Sequence, residues 1–285
     1  MDRREATLRH RRLGRKLRLL REHTGLTISE ASKLIFISGS KISRIETAQA
    51  IPTLRDVMDM LSAYSVEGSE QNSFLNLMYT VQAEAQQRKR SDIGKLMVYR
   101  SFEDEAQAIW MYQALYVPGL FQVEEYARVM ISDVVSQLIP SRHGEEIEHQ
   151  VTLRMARQAI LDRQEPPEVW LLLDEGALRR QVGDRSLMLK QLHSLIEAAR
   201  LPTVTLQVLP FTAGAHVGME AAFTILQFAD LADPDVVHVE QPGPDLYLDD
   251  AIDVELHKLL FQHLRAVALN PGESTIFLLE LADDL

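Results

Sequence analysis

Leu13, Leu17 and Leu20 recur at helical spacing with Arg15, Lys16, Arg18 and Arg21 among them, so the first segment predicts an amphipathic helix. Gly25 ends it. Thr27-Ile28-Ser29-Glu30 has the form of a capping box, which predicts a second helix to about Leu34. Ser38 is an N-cap residue ahead of a third, running through Lys41 to Glu46. Pro52 opens a fourth apolar series, Leu54, Val57, Met58 and Leu61. A fifth follows at Phe74, Leu77, Met78 and Val81 and ends in Arg88-Lys89-Arg90.

Beyond residue 100 the pattern changes. Helical spacing covers 102–111, 123–131, 145–161 and 187–200, and apolar runs at 169–173, 204–209, 223–228 and 236–239 are bounded by Pro, Gly and Asp as strands are. Two helices, at 254–269 and 274–281, close the chain. The expected fold is an all-α N-terminal domain of about five helices (1–90), followed by a larger mixed α/β (α+β) domain (101–285).

Charge sharpens this division. Residues 1–65 hold 13 Lys and Arg against 7 Asp and Glu, leaving 17 basic and 34 acidic residues beyond them. A head of +6 on a body of −17 points to a polyanion-binding module joined to a part that does not touch nucleic acid. The chain has no cysteine, which excludes disulfides and thiolate metal sites. Its charged N-terminus lacks the apolar core of an export signal, and no apolar stretch approaches the roughly 20 residues of a membrane span. A cytoplasmic protein that does not enter membranes is the expectation.

In a helix-turn-helix the second helix of the pair enters the major groove, and contacts around it to phosphates fix the register. Thr27 to Glu46 supplies that pattern. Ala31 is small where the helices should cross, Ile42 and Ile45 face inward, and Gly39, Ser40, Lys41 and Arg44 face outward. The run Arg9, Arg11, Arg12, Arg15 and Lys16 adds cations suited to phosphate attraction. From LREHTGLT through Ala31 to SxxKISRIE and Pro52, residues 13–66 resemble the phage-repressor-like (XRE) helix-turn-helix family. The resemblance implies double-stranded DNA as partner, with Gly39, Ser40 and Arg44 facing bases and Thr27, Ser38, Lys41, Thr47 and Gln49 facing phosphates. It also implies an ion pair between Arg21 and Glu46. Three positions depart from the family pattern: Ile28 replaces a DNA-contacting Gln, and Phe36 and Ala48 replace glycines.

The rest of the chain resembles the large domain of unknown function DUF5753, which follows such heads in many regulators. The matching residues are Tyr112, Tyr116-Val117-Pro118-Gly119-Leu120-Phe121-Gln122, Tyr126-Ala127-Arg128, Arg154, Arg157-Gln158, WLLLDEGALRRQVG, LPTVTLQVLPFTAGAHVGM and FTILQF. Gln113 departs from it, standing where an acidic residue is usual. Some members are antitoxin-like and work with a small companion protein encoded nearby. No HExxH, nucleophile elbow, Walker loop or dinucleotide fingerprint occurs, so no enzymatic activity, catalytic residue, metal or cofactor is expected. Asp174, Glu175 and Arg179 follow a strand end, and the loop carrying His216 follows another. With Trp110, Tyr112 and Tyr116 they form a candidate effector pocket. The same residues also fit an aromatic core with ordinary turns.

The expectation is a homodimeric, sequence-specific transcriptional regulator whose larger domain dimerises and senses a small-molecule effector or a partner protein. The alternative is an antitoxin-like interaction module with a weak or vestigial DNA-binding head.

Overall fold

The computed structural model of the chain describes residues 6–90, 94–138, 144–229, 234–240 and 245–285. The chain divides into two compact units, the first ending at Glu105 and the second beginning at Ala106.

The first unit is helical, and each early helix carries its own start signal. α1 (Leu8–His23) is capped by Thr7, whose side chain accepts from the His10 amide. α2 (Ile28–Ile35) opens on the predicted box, with Thr27 and Glu30 satisfying each other's backbone amides. α3 (Gly39–Glu46) is capped by Ser38, and α4 (Leu54–Ala63) opens on a second capping box, Thr53 with Asp56. α5 (Gly68–Arg90) and α6 (Gly94–Glu103) complete the unit. Leu13, Leu17, Ala31, Ile42, Ile45 and Met60 are among the residues of one closed core, as their spacing requires.

α1 crosses the end of α3 at Gly14. A Cβ there would lie 2.5 Å from the Ile45 carbonyl oxygen and 2.8 Å from that of Glu46, and neither backbone atom can swing aside as a side chain would. Gly14→Ala is expected to destabilise the head by about 1–3 kcal/mol, the range for overpacking a core. Thermal melting by far-ultraviolet circular dichroism checks this, and an unchanged transition would contradict the contact.

The second unit is built on a six-stranded sheet of order β3-β2-β1-β4-β5-β6. β1 (Ala108–Gln113), β2 (Glu168–Asp174) and β3 (Val204–Leu209) run parallel, while β4 (Phe223–Gln227), β5 (Val236–Val239) and β6 (Leu246–Leu248) continue the sheet antiparallel from β1. α7 (Glu124–Leu138) and α8 (Gly144–Arg157) connect β1 to β2. α9 (Glu175–Arg179) and α10 (Arg185–Ala198) connect β2 to β3. α11 (Ala251–Val267) and α12 (Pro271–Asp284) follow β6, and α12 starts with an Asn270–Glu273 capping box and Pro271 in its first turn. The free edge of β3 is covered: Val208 N–H donates to Ser274 Oγ and its carbonyl accepts from Leu269 N–H.

The helix expected at 102–111 is not formed. α6 stops at Glu103, and Ala108–Gln113 is a central strand with Ile109, Met111 and Tyr112 all buried. A strand buried on both faces reads as an unbroken apolar run, which has no period to separate it from a helix. Among the described residues no helix is long and apolar enough to cross a membrane.

Candidate nucleic-acid interface and strand-end cluster

α2 and α3 form the helix-turn-helix pair, and the residues between and after them take an uncommon backbone. Phe36 (φ 55°) ends α2 and Ala48 (φ 55°) follows α3, both left-handed. A non-glycine residue held in this conformation costs about 1–2 kcal/mol. Phe36 is also 95% exposed.

The pair implied between α1 and α3 is present and bidentate. Arg21 Nε donates to Glu46 Oε1 at 2.7 Å, Nη2 donates to Oε2 at 2.9 Å, and Nη1 donates to the Leu26 carbonyl at 2.8 Å. Both residues are buried. The Glu46 hydrogen bond holds the Arg21 guanidinium above its ordinary pKa. Burial, then Glu46, pushes the nearby Tyr64 phenol up to about 12.

Ser38, Ser40, Lys41 and Arg44 are exposed along α3, and Gly39 is half-buried. A Cβ on Gly39 would meet Ile28 Cγ2 at 3.2 Å, so Ile28 packs against the start of α3. Thr27 is occupied by its capping box, its hydroxyl 2.6 Å from Glu30 Oε2. The Thr47 hydroxyl donates to the Ser43 carbonyl, and the Gln49 amide donates to the Arg44 carbonyl, each at 2.7 Å. Lys41 Nζ lies 2.6 Å from Asp56 Oδ1. That ammonium therefore faces a carboxylate.

Much of the basic run on α1 is engaged within the head. Arg9 pairs with Glu84 at 2.7 Å and Glu105 at 3.1 Å, and Arg12 pairs with Glu105 at 2.8 Å. Arg11 is buried, donates to the Ala6 carbonyl and stacks 5.1 Å over the Phe102 ring. These three cations knit α1 to α5 and to the end of α6, which corrects their reading as phosphate attractors. No local pattern signals this, because the partners lie roughly 75 to 95 positions away.

Asp56 gives the head a pH dependence. Burial raises its pKa, but hydrogen bonds from Lys41 and from the Thr53 amide and hydroxyl outweigh burial and hold it below the ordinary value. The stability this lends is present above the unfolded value of about 3.9 and is lost as pH falls through the lower folded value. Head melting temperature is expected to drop on that limb. Asp56→Asn, with nothing to protonate, should flatten the drop while costing about 1–3 kcal/mol at neutral pH through the weakened charge-assisted hydrogen bonds. Equal acid limbs in the two proteins would remove Asp56 from the account.

In the second unit, the chain ends of the parallel strands bring together Tyr112, Asp174, Glu175, Arg179 and His216. His216 Nε2 lies 3.5 Å from Asp174 Oδ2, and its ring meets the Tyr112 ring edge-on at 6.2 Å. A Cβ on Gly218 would lie 2.5 Å from the Tyr112 ring, so the loop after β3 approaches at a distance only glycine allows. The Tyr112 hydroxyl is buried with no hydrogen-bond partner among the described residues. Burial, then Asp174, raises its pKa. Glu175 accepts from the Phe211 amide at 2.7 Å and from Arg179 Nε at 2.5 Å. Trp110 does not join this cluster: it stacks on Phe261 at 5.2 Å within the core. Tyr116 donates to Glu240 at 2.6 Å.

Sequence reading missed a polar knot at the Tyr116–Gln122 segment. Gln158 Nε2 donates to the Gln122 carbonyl at 2.6 Å and the Gly119 carbonyl at 3.1 Å. Arg154 Nη1 donates to Gln122 Oε1 at 2.9 Å, and Gln122 Nε2 donates to the Val117 carbonyl at 2.6 Å. The segment's backbone acceptors are thereby satisfied by side chains of α8 and the turn after it.

Residues 96–280 match the family described as Domain of unknown function (DUF5753), and residues 12–74 match one described as Helix-turn-helix domain. No curated protein and no solved structure matches the chain. The chain belongs to the DUF5753 family and carries a helix-turn-helix domain ahead of it.

Proposed function

We propose that this chain is a sequence-specific transcriptional regulator of the XRE type that acts on DNA as a homodimer in the cytoplasm, without enzymatic activity. The helix-turn-helix supports DNA binding and regulation. The observation that carries the specific reading is α3, which exposes Ser40, Lys41 and Arg44 while the buried Arg21–Glu46 pair fixes the helix to α1. A surface helix anchored this firmly has the rigidity that reading base edges requires. In this reading Gly39, Ser40 and Arg44 meet bases, and Thr27, Ser38, Lys41, Thr47 and Gln49 lie beside phosphates.

The second unit supplies pairing and control. A single small head makes too few base contacts for high specificity, so such heads bind two half-sites about 34–36 Å apart or multiples of that spacing. A small effector or companion protein that favours one arrangement of the heads then sets occupancy. Tyr112, Asp174 and His216 are the residues we assign to the effector. The antitoxin-like alternative draws on Phe36, Ala48 and Ile28, which depart from the family at the turn, after the recognition helix and at a DNA-contacting position.

A fragment ending at Glu105 tests the reading, because it keeps the carboxylate that Arg9 and Arg12 share. The fragment is expected to sediment as a monomer and bind single half-sites weakly. The full chain is expected to bind paired half-sites far more tightly. Equal binding of paired sites by both proteins would remove the second unit as the pairing domain, and no binding by either would favour the alternative.

A further inference from the structure

We propose that Phe36 is a base-reading residue of the head, its ring packing on the 5-methyl group of a thymine in the major groove beside the start of α3. The inference rests on the reading that α3 meets DNA and adds one residue to that interface.

Phe36 contributes no packing to the head. No other large apolar side chain among the described residues is as exposed as its 95%, while Ile35 and Ile37 on either side of it are both in the core. Its backbone is left-handed, at φ 55°, a region that a bulky side chain rarely adopts and that glycine enters freely. The aromatic ring is therefore held in water, on a conformation that disfavours it, with no gain to the fold. Strain of this kind, unused by the surrounding structure, clusters where a ligand is contacted.

Position and neighbours select the ligand. Phe36 stands two residues ahead of Ser38, the N-cap of α3, and the N-terminal residues of a recognition helix are the ones that meet base edges. Phe36, Ser38 and Lys41 line one open cleft of about 750 Å³, which also takes in Arg55, Asp56 and Asp59 of α4. The charges of the cleft stand in pairs, Lys41 with Asp56 at 2.6 Å and Arg55 with Asp59 at 3.6 Å. What remains to be offered at its rim is apolar surface, from Phe36 and from Leu34, which is 57% exposed. Among the base edges of the major groove only thymine presents a methyl group, and phenylalanine is one of the side chains that pack on it.

The test uses the full chain and the duplex it prefers among those from the neighbourhood of its own gene. Phe36→Gly and Phe36→Asn both keep a residue suited to the left-handed turn, so the melting temperature of the head should hold or rise. DNA binding should move the opposite way, falling about 10-fold, as expected for losing part of a buried ring. The thymines of the duplex are then replaced one at a time by uracil, which pairs alike and lacks only the methyl. For wild type, one such replacement in each half-site should cost about 4-fold, the worth of one buried methyl. For both variants the same replacement should cost nothing.

Variants that bind as tightly as wild type would overturn the proposal, as would a head that melts lower in both, which would give the ring a structural role. Weaker binding with no dependence on any thymine methyl would move the contact to the sugar-phosphate backbone and overturn the base reading. Each of these outcomes leaves α3 as the DNA-reading helix. A wild-type chain with no preferred duplex would overturn that reading as well.

Discussion

Glu46→Ala is expected to unfold the head while the second unit stays folded. The substitution leaves Arg21 buried, with its guanidinium donating to the Leu26 carbonyl at 2.8 Å and only a longer, 3.6 Å contact to the exposed Glu22 carboxylate. Breaking one side of a buried pair costs about 3–5 kcal/mol, because the remaining charge has lost its solvent without compensation. For a domain of this size that is a fall of more than about 10 °C in melting temperature. The two units report separately. Both tryptophans, Trp110 and Trp170, lie in the second unit, so their fluorescence follows that unit while far-ultraviolet circular dichroism also records the helical head. Replacing both partners, Arg21→Met with Glu46→Leu, should recover much of the loss, since no unpaired charge remains. A head transition unmoved by Glu46→Ala would mean that the pair does not hold α1 to α3.

Arg44→Ala is expected to cost DNA binding rather than stability. Arg44 is exposed in the last turn of α3, and no described side chain holds it in an ion pair. An arginine free to reach a base edge bonds guanine O6 and N7 together, and losing that contact costs about 1–3 kcal/mol, or roughly 5- to 150-fold, with relaxed preference at that base pair. Equal loss on every sequence would reassign Arg44 to a phosphate. Lys41 differs, because its ammonium starts on Asp56, so its gain on DNA is net of the lost ion pair.

What could be read from the sequence was whatever short-range chemistry encodes. The Thr27, Ser38 and Thr53 helix starts each depend on residues three positions apart, and the helical spacing of Leu13 with Leu17 and of Ile42 with Ile45 already defined the inward faces. Phe36 and Ala48 were visible as departures from the resembled pattern, and both adopt a left-handed backbone. Four strands were legible, yet β1 was read as helix because its burial on both faces erased the alternation. β6, with three residues, is too short to carry a pattern. The fate of the α1 arginines was illegible for a different reason. A surface cation and a cation paired with Glu84 or Glu105 look the same until the fold brings distant residues together. The candidate effector residues divided likewise: Tyr112, Asp174 and His216 converge at the strand ends, whereas Trp110 faces the core against Phe261.

The central claim is that α3 reads DNA, and a fluorescence anisotropy titration of the full chain tests it most directly. Duplexes drawn from the neighbourhood of its own gene and an unrelated duplex of equal length are titrated with wild type and Arg44→Ala at two salt concentrations. The account predicts a preferred duplex for wild type, affinity that falls as salt rises, and a roughly 5- to 150-fold loss for Arg44→Ala on that duplex with little change on the unrelated one. Identical titrations for the two proteins, or wild-type binding no tighter on any neighbouring duplex than on the unrelated one, would contradict it.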